Sequence, residues 1–225
     1  MTALYWIVFI GIAIVSFVVQ KMLESKFDKY SKVPLAMTGR DVAKKMLLDN
    51  GITDVTITCV KGHLTDHYNP TNKTINLSES VYNSASVAAA AVAAHETGHA
   101  LQHAMGYAPL KLRSSLVPVV SFASKYMSWV LLAGMLLINY SLVPLEIGIV
   151  LFSLTTLFSF ITLPVEVNAS QRAVRWLEES GITDRQTTSM ASDALHAAAY
   201  TYVVAALSSL ATLLYYIMIA NNRRS

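Results

Sequence analysis

The sequence predicts a mainly α integral membrane protein, with about four transmembrane helices and a cytoplasmic part that carries a small β-sheet. Three observations predict it. The 225-residue chain is 54% hydrophobic and only 14% charged, too apolar for an ordinary soluble domain. Its apolar residues are gathered into blocks long enough to cross a bilayer. Between the blocks lie strand-like runs and an alanine-rich stretch, ASVAAAAVAAHETGHALQHAMG, that carries three histidines and a glutamate.

The elements follow in chain order. Residues 4–20, LYWIVFIGIAIVSFVVQ, hold no charge. At about 1.5 Å per residue they just span a hydrocarbon core of about 30 Å. No basic stretch precedes them and no small-x-small cleavage site follows, so residues 1–20 read as an uncleaved anchor and not as a signal peptide. The polar segment 21–116 comes next. In it, TGRDVAKKMLLDNG reads as a helix with Thr38 as N-cap, an apolar face of Val42, Met46 and Leu47, and Gly51 as the stop. VTITCV, HLTDHYN and KTINLS read as three short strands, with Lys61-Gly62 and Asn69-Pro70 marking the turns. TINL, residues 74–77, is expected at a sheet edge, where an extended peptide could add as a further strand. Cys59, the single cysteine, excludes an intramolecular disulfide and a cysteine-based zinc knuckle. Its strand-like setting predicts a buried, inert thiol. The alanine-rich helix follows, with Ser84 or Ser86 near its start and Gly106 near its end.

Residues 117–163 form an apolar block too long for one span. Asn139, Tyr140, Ser141 and Pro144 supply a turn, so two helices over about 117–138 and 145–163 make a membrane hairpin. A polar segment, 164–196, leads to a last span over 197–220 within the terminal segment 197–225, whose small residues suit close helix packing. The tetrapeptide GITD occurs at 51–54 and 181–184, each time after an acidic helix end. It reads as a recurring stop, with glycine just past the helix and an apolar residue after it.

Charge orients the chain. Segment 21–116 holds eleven Lys or Arg and segment 164–196 three more, fourteen of the 17. The positive-inside rule places both in the cytoplasm, in a multi-pass protein of the cell membrane. The net charge of +3 is small, and no basic stripe marks a nucleic-acid surface. The expected partners are the lipid bilayer and a peptide or protein substrate.

His95-Glu96-Thr97-Gly98-His99 is HExxH. Residues four apart share one face of a helix, so both imidazoles can hold one ion, while Glu96 can reach a water that the ion activates. Two histidines leave a structural zinc site unfinished, whereas catalytic zinc takes three protein ligands. Gln102 and Met105 stand where the longer HExxHxxGxxH motif needs Gly and His, and no Asp-Gly pair occurs in a later span. A downstream glutamate is therefore expected. Glu166, in ITLPVEVNASQRAVRW, sits just past Pro164, read as the proline that opens a helix at the end of the third span. Glu146 falls at the far end of the hairpin, Glu178 and Glu179 adjoin a helix stop, and Glu79 suits a cap.

At these residues the chain resembles the YugP-like family of bacterial membrane zinc metallopeptidases, relatives of the HtpX and CAAX-prenyl endopeptidase group. The blocks that carry the resemblance are the anchor, DHYNPTNKTINLSESVY, HETGHALQHA, the hairpin, PVEVNASQRA and a last span with TYVVAAL. The resemblance implies a zincin-like part of the gluzincin type, with Zn2+ on His95, His99 and Glu166 and with Glu96 as general base. HtpX-like relatives carry an aspartate four residues after the ligand glutamate. Here Ser170 takes that place, so Asn168 or Gln171 becomes a candidate for orienting a histidine.

The reaction implied is hydrolysis of peptide bonds in membrane or membrane-adjacent proteins. The developing oxyanion needs a donor besides the metal. His196 and Tyr200 are the named candidates, with Tyr202 and Arg172 behind them. His103, one turn past His99, is either a supporting group or exposed. The alternative function is a zinc-binding membrane scaffold or chaperone without hydrolysis. A metal transporter ranks last, because the spans carry almost no ionisable side chains.

Overall fold

The structure, a computed structural model, describes residues 2–224, with side chains described for residues 6–223. The described chain runs α1 (Thr2–Ser31), α2 (Gly39–Asp49), β1 (Thr56–Val60), β2 (His67–Asn69), β3 (Thr74–Ser78), α3 (Glu79–Tyr82), α4 (Val87–Ala104), α5 (Ala108–Leu136), α6 (Val143–Glu179) and α7 (Arg185–Arg224). Two compact units divide it. One comprises the chain up to Val18, Leu112–Leu163 and the chain from Thr201 onward. The other comprises Val19–Lys111 and Pro164–Tyr200.

The first unit is the membrane part. α1, α5, α6 and α7 are each long and apolar enough to cross a bilayer. Each is longer than the span read from the sequence, because helix-compatible polar residues continue it past the apolar block. Small residues let α5 and α6 approach closely. A Cβ on Gly134 would lie 2.6 Å from the Leu145 backbone nitrogen, and one on Gly148 would lie 2.6 Å from Leu131 Cδ2. Thr156 and Ser209 hydroxyls bond at 2.7 Å, tying α6 to α7. Pro144 stands in the first turn of α6, where its missing N–H leaves no bond unmade.

Pro164 corrects an expectation. It does not open a new helix but lies inside α6, which is unbroken from Val143 to Glu179. Proline removes one backbone bond and crowds the preceding turn. The helix continues because Val165, Ala169, Ala173 and Leu177 beyond it are fully buried. Packing on that stripe outweighs one lost bond.

The second unit is built around α4. Ser86 caps it, its Oγ accepting from Ala89 N–H at 3.3 Å. Its alanines pack in one core with Val42, Ala43, Met46 and Leu47 of α2 and Ile75 and Leu77 of β3. The helix read at 38–51 is α2, with Thr38 and Asp41 forming a reciprocal capping box. Gly51 and Gly181 both take positive φ, 68° and 69°, so each GITD is a helix stop.

The sheet order is β1-β3-β2, with β1 parallel and β2 antiparallel to β3. TINL is thus the central strand and not an edge. Ile75 and Leu77 are fully buried, and the strand that carries them is paired on both sides. Strand addition at 74–77 is excluded by those partners. Cys59 is exposed and not buried, because it lies on the edge strand β1, which carries no fully covered residue.

Two further contacts fasten this unit. Lys26 and Tyr30 of α1 both donate to Asp193 Oδ2 on α7. Trp176 Nε1 on α6 donates to Asp49 Oδ2 on α2 at 3.1 Å. α4 and α6 approach closely at Gly98. A Cβ there would fall 2.8 Å from Ala169 O and 3.2 Å from Ala169 Cα, both backbone atoms that cannot swing aside. Gly98→Ala is therefore expected to force the two helices apart, destabilising the protein by about 1–3 kcal/mol, the usual penalty for overpacking. Denaturant unfolding of the variant checks it.

Candidate metal centre

α4 places His95 and His99 one turn apart on one face. Their rings meet edge to face, with centroids 4.8 Å apart and planes at 87°. α6 brings Glu166 across the Gly98–Ala169 crossing. Its Oε2 lies 3.3 Å from His95 Nε2 and 3.4 Å from His99 Nε2. One ligand atom from each residue falls within 4.8 Å of the others. The three sequence-predicted ligands are thus brought together.

The separations suit a metal. Ligands at about 2.0–2.1 Å around a tetrahedral zinc stand about 3.3 Å from one another. The chemistry of the donors points the same way. Gln102 Nε2 donates to Val165 O at 2.8 Å, so its Oε1 is the atom that meets His99 Nδ1 at 3.0 Å. An amide oxygen only accepts, so Nδ1 carries the proton and Nε2 of the neutral ring presents a lone pair. That lone pair faces a carboxylate oxygen at 3.4 Å. Two lone pairs that close repel unless a cation lies between them. A proton serves one such pair, whereas a metal ion serves all three atoms.

Burial sharpens the demand. Glu166 is 2% exposed and His99 is buried too. Glu96 is 8% exposed, set on α4 between the two ligands in sequence. A buried carboxylate without a cation is strongly disfavoured. The alanines before the motif leave room for this convergence, since no long side chain from those turns holds the neighbouring elements away.

Residues 5–221 match the model of a family described as "Putative neutral zinc metallopeptidase". The chain belongs to this family. It is 46% identical over 211 residues to "Putative membrane protease YugP" of Bacillus subtilis (strain 168), which covers 93% of each chain. No solved structure matches. As a member of the neutral zinc metallopeptidase family, with four membrane-spanning helices, this chain is a membrane metalloendopeptidase with a gluzincin-type site of two α4 histidines and one α6 glutamate.

The supporting groups differ from expectation. Ser170 Oγ itself meets His95 Nδ1 at 3.0 Å, so the residue in the aspartate's place does orient a histidine. Gln102 orients His99, although in the sequence it serves only to exclude another motif. Its spacing of three from His99 on a helix is the available signal. Asn168 stands behind Gln102, accepting from its Nε2 at 3.0 Å. Gln171 is exposed and lines a pocket of about 480 Å3 together with Ser170, Arg175 and His196. His196 is exposed, its Nδ1 3.5 Å from Ser192 Oγ. Tyr200, one turn further along α7, is 55% exposed. His103 is half-buried, its Nδ1 paired with Tyr68 OH at 2.7 Å.

Protons and metal compete for this site. Burial disfavours a proton on His99, but its bond to Glu166 and the charges of Glu96 and Glu166 outweigh burial and raise its pKa above the ordinary 6.5. In the metal-free protein this proton stabilises the fold fully below pH 6.5, and the contribution is lost as pH rises through the raised value. Metal requires the deprotonated ring, so affinity runs the opposite way. Chelator-competition titrations across pH are expected to show affinity falling as pH drops, with the fall already under way above pH 6.5.

Proposed function

We propose that this protein is a Zn2+-dependent endopeptidase of the cell membrane that cuts membrane or membrane-adjacent protein segments from the cytoplasmic side. The observation that carries the reading is the buried convergence of His95 Nε2, His99 Nε2 and Glu166 Oε2 on one point. Imidazole and carboxylate donors, with the carboxylate at 3.3 and 3.4 Å from the two imidazole nitrogens, favour zinc among the divalent ions. The cytoplasmic orientation rests on the fourteen basic residues in the segments 21–116 and 164–196.

A zinc ion held by these three residues supplies Lewis acidity toward the scissile carbonyl and lowers the pKa of a water to about 7. Glu96 then acts as general base. Its carboxylate takes one proton as the water oxygen bonds the carbonyl carbon, and returns it to the amine nitrogen as the C–N bond breaks. His196 and Tyr200 supply the donor for the developing oxyanion. What supports this assignment is their exposure on α7 and the pocket His196 shares with Ser170, which contacts the ligand His95.

The test compares wild type and Glu96→Gln in detergent, with bound zinc and cleavage of a disordered protein measured on the same samples. Both are expected to bind zinc, and the variant to cleave about 10²–10⁴-fold more slowly, the span of a general-base contribution. Equal cleavage by the variant would remove Glu96 from the reaction. Zinc binding without cleavage by either protein, on disordered and membrane substrates alike, would favour the scaffold reading. In the same assay His196→Ala and Tyr200→Phe separate the oxyanion donors. Loss of the true donor lowers kcat by roughly 10²–10³ with KM little changed.

A further inference from the structure

The hydrogen bonds behind His99 have a direction, set at two ends: the Val165 carbonyl and the Arg172 guanidinium. Arg172 Nε donates to Asn168 Oδ1 at 2.8 Å. A guanidinium can only donate, so the Asn168 amide must present its oxygen there. The same oxygen accepts from Gln102 Nε2 at 3.0 Å. The Val165 carbonyl accepts from that nitrogen too, at 2.8 Å. Both hydrogens of the Gln102 amide are then used, and its oxygen is left for His99 Nδ1 at 3.0 Å. Each link has one permitted polarity: guanidinium donor, amide oxygen, amide nitrogen, amide oxygen, imidazole N–H.

We propose that Arg172, through Asn168 and Gln102, is a positioning residue that holds His99 with its proton on Nδ1 and so keeps Nε2 ready for the metal. This rests on the metal reading above. Without Arg172, Asn168 is free to turn its nitrogen toward Gln102, and the Gln102 NH2, still held by the Val165 carbonyl, loses its second acceptor. Gln102, fully buried, would have to give up one of its bonds. His95 is held differently. Its Nδ1 meets the Ser170 hydroxyl, which can donate or accept and therefore imposes no tautomer. The two histidines thus enter the site unequally, His99 fixed in tautomer and His95 free to adapt. Arg172, one of the oxyanion candidates by sequence, has its Nε committed to Asn168 and its Nη1 3.1 Å from Met105 Sδ.

The test is a set of side-chain variants of the full-length protein in detergent: Arg172→Leu, Asn168→Leu, their double variant and Asn168→Asp. The first readout is zinc affinity by chelator competition. Partners of this kind typically contribute roughly 10–100-fold in affinity, and each leucine variant is expected to lose at least about tenfold by the same measure. The double variant is expected to lose no more than the worse single one, because both break one chain. A carboxylate in place of the amide offers only acceptor oxygens, so Asn168→Asp is expected to keep wild-type affinity or exceed it. The second readout is the imidazole Nδ1–H of His99 in 15N-labelled, zinc-loaded protein. It is expected to exchange slowly in wild type and Asn168→Asp, and fast in the leucine variants. Additive losses, or a loss in Asn168→Asp equal to that in Asn168→Leu, would overturn the relay and leave Arg172 an ordinary packing residue. No zinc binding by wild type would instead overturn the metal reading.

Discussion

Everything at this site depends on how closely α4 and α6 approach at Gly98 and Ala169. HExxH supplies two ligands from one helix, and geometry forbids that helix from supplying a suitable third within the same turn. The third must come from another helix whose backbone is near enough for a two-methylene side chain to reach. Gly98 has no Cβ, and the Ala169 backbone occupies the space one would take. Glu166 lies three residues before Ala169, so the crossing point and the ligand share one face of α6. The spacing of 3.3 and 3.4 Å at the ligand atoms is thus set by small residues that carry no chemistry.

The same crossing explains the burial of so many polar groups. Glu96, His99, Gln102 and Glu166 are all buried around it. Each is disfavoured there alone. Around His99 the bonds run in one direction: the Gln102 amide oxygen behind Nδ1, the Nε2 lone pair ahead and the Glu166 carboxylate opposite, while the Ser170 hydroxyl behind His95 serves either polarity. A cation at the point of convergence would serve all three ligand atoms at once. Binding energy from the metal is then partly folding energy for the residues around it.

Much of this was legible in the sequence. The four spans, the helix stops at Gly51 and Gly181, the cap Thr38, a serine cap at residue 84 or 86 and the pairing of His95 with His99 on one helix face follow from local rules of hydropathy, turn chemistry and helical spacing. The setting of Glu166 differs from the one its sequence implies. Pro164 looked like the start of a helix, yet α6 runs through it, because burial of Val165, Ala169, Ala173 and Leu177 is a tertiary effect that no local signal records. TINL looked like an edge for a similar reason. Strand order depends on which apolar pairs find cover, and Ile75 and Leu77 drew partners to both sides of β3. Cys59 followed the same logic in reverse, exposed because β1 took an edge. Ser170 lies outside such local rules, since a hydrogen-bond partner 75 residues from His95 leaves no periodic trace, whereas Gln102 stands three residues from His99 on the same helix.

The alanines answer to the same constraint. A helix surrounded on several sides would normally carry Leu, Ile or Met to bury area. α4 carries Ala88, Ala89, Ala90, Ala91, Ala93 and Ala94 instead, all buried. Each contributes less hydrophobic stabilisation than a larger residue, at about 25 cal/mol per Å2 of apolar surface. In return alanine is the best helix former, has no side-chain rotamers to lose, and admits close neighbours. The large side chains that fill the core sit on those neighbours, at Val42, Met46, Ile75, Leu77 and Leu177. The division is mechanical. The helix that holds two ligands in register is kept thin. The elements around it supply the bulk, and a substitution that thickens α4 reaches the metal centre even from several turns away.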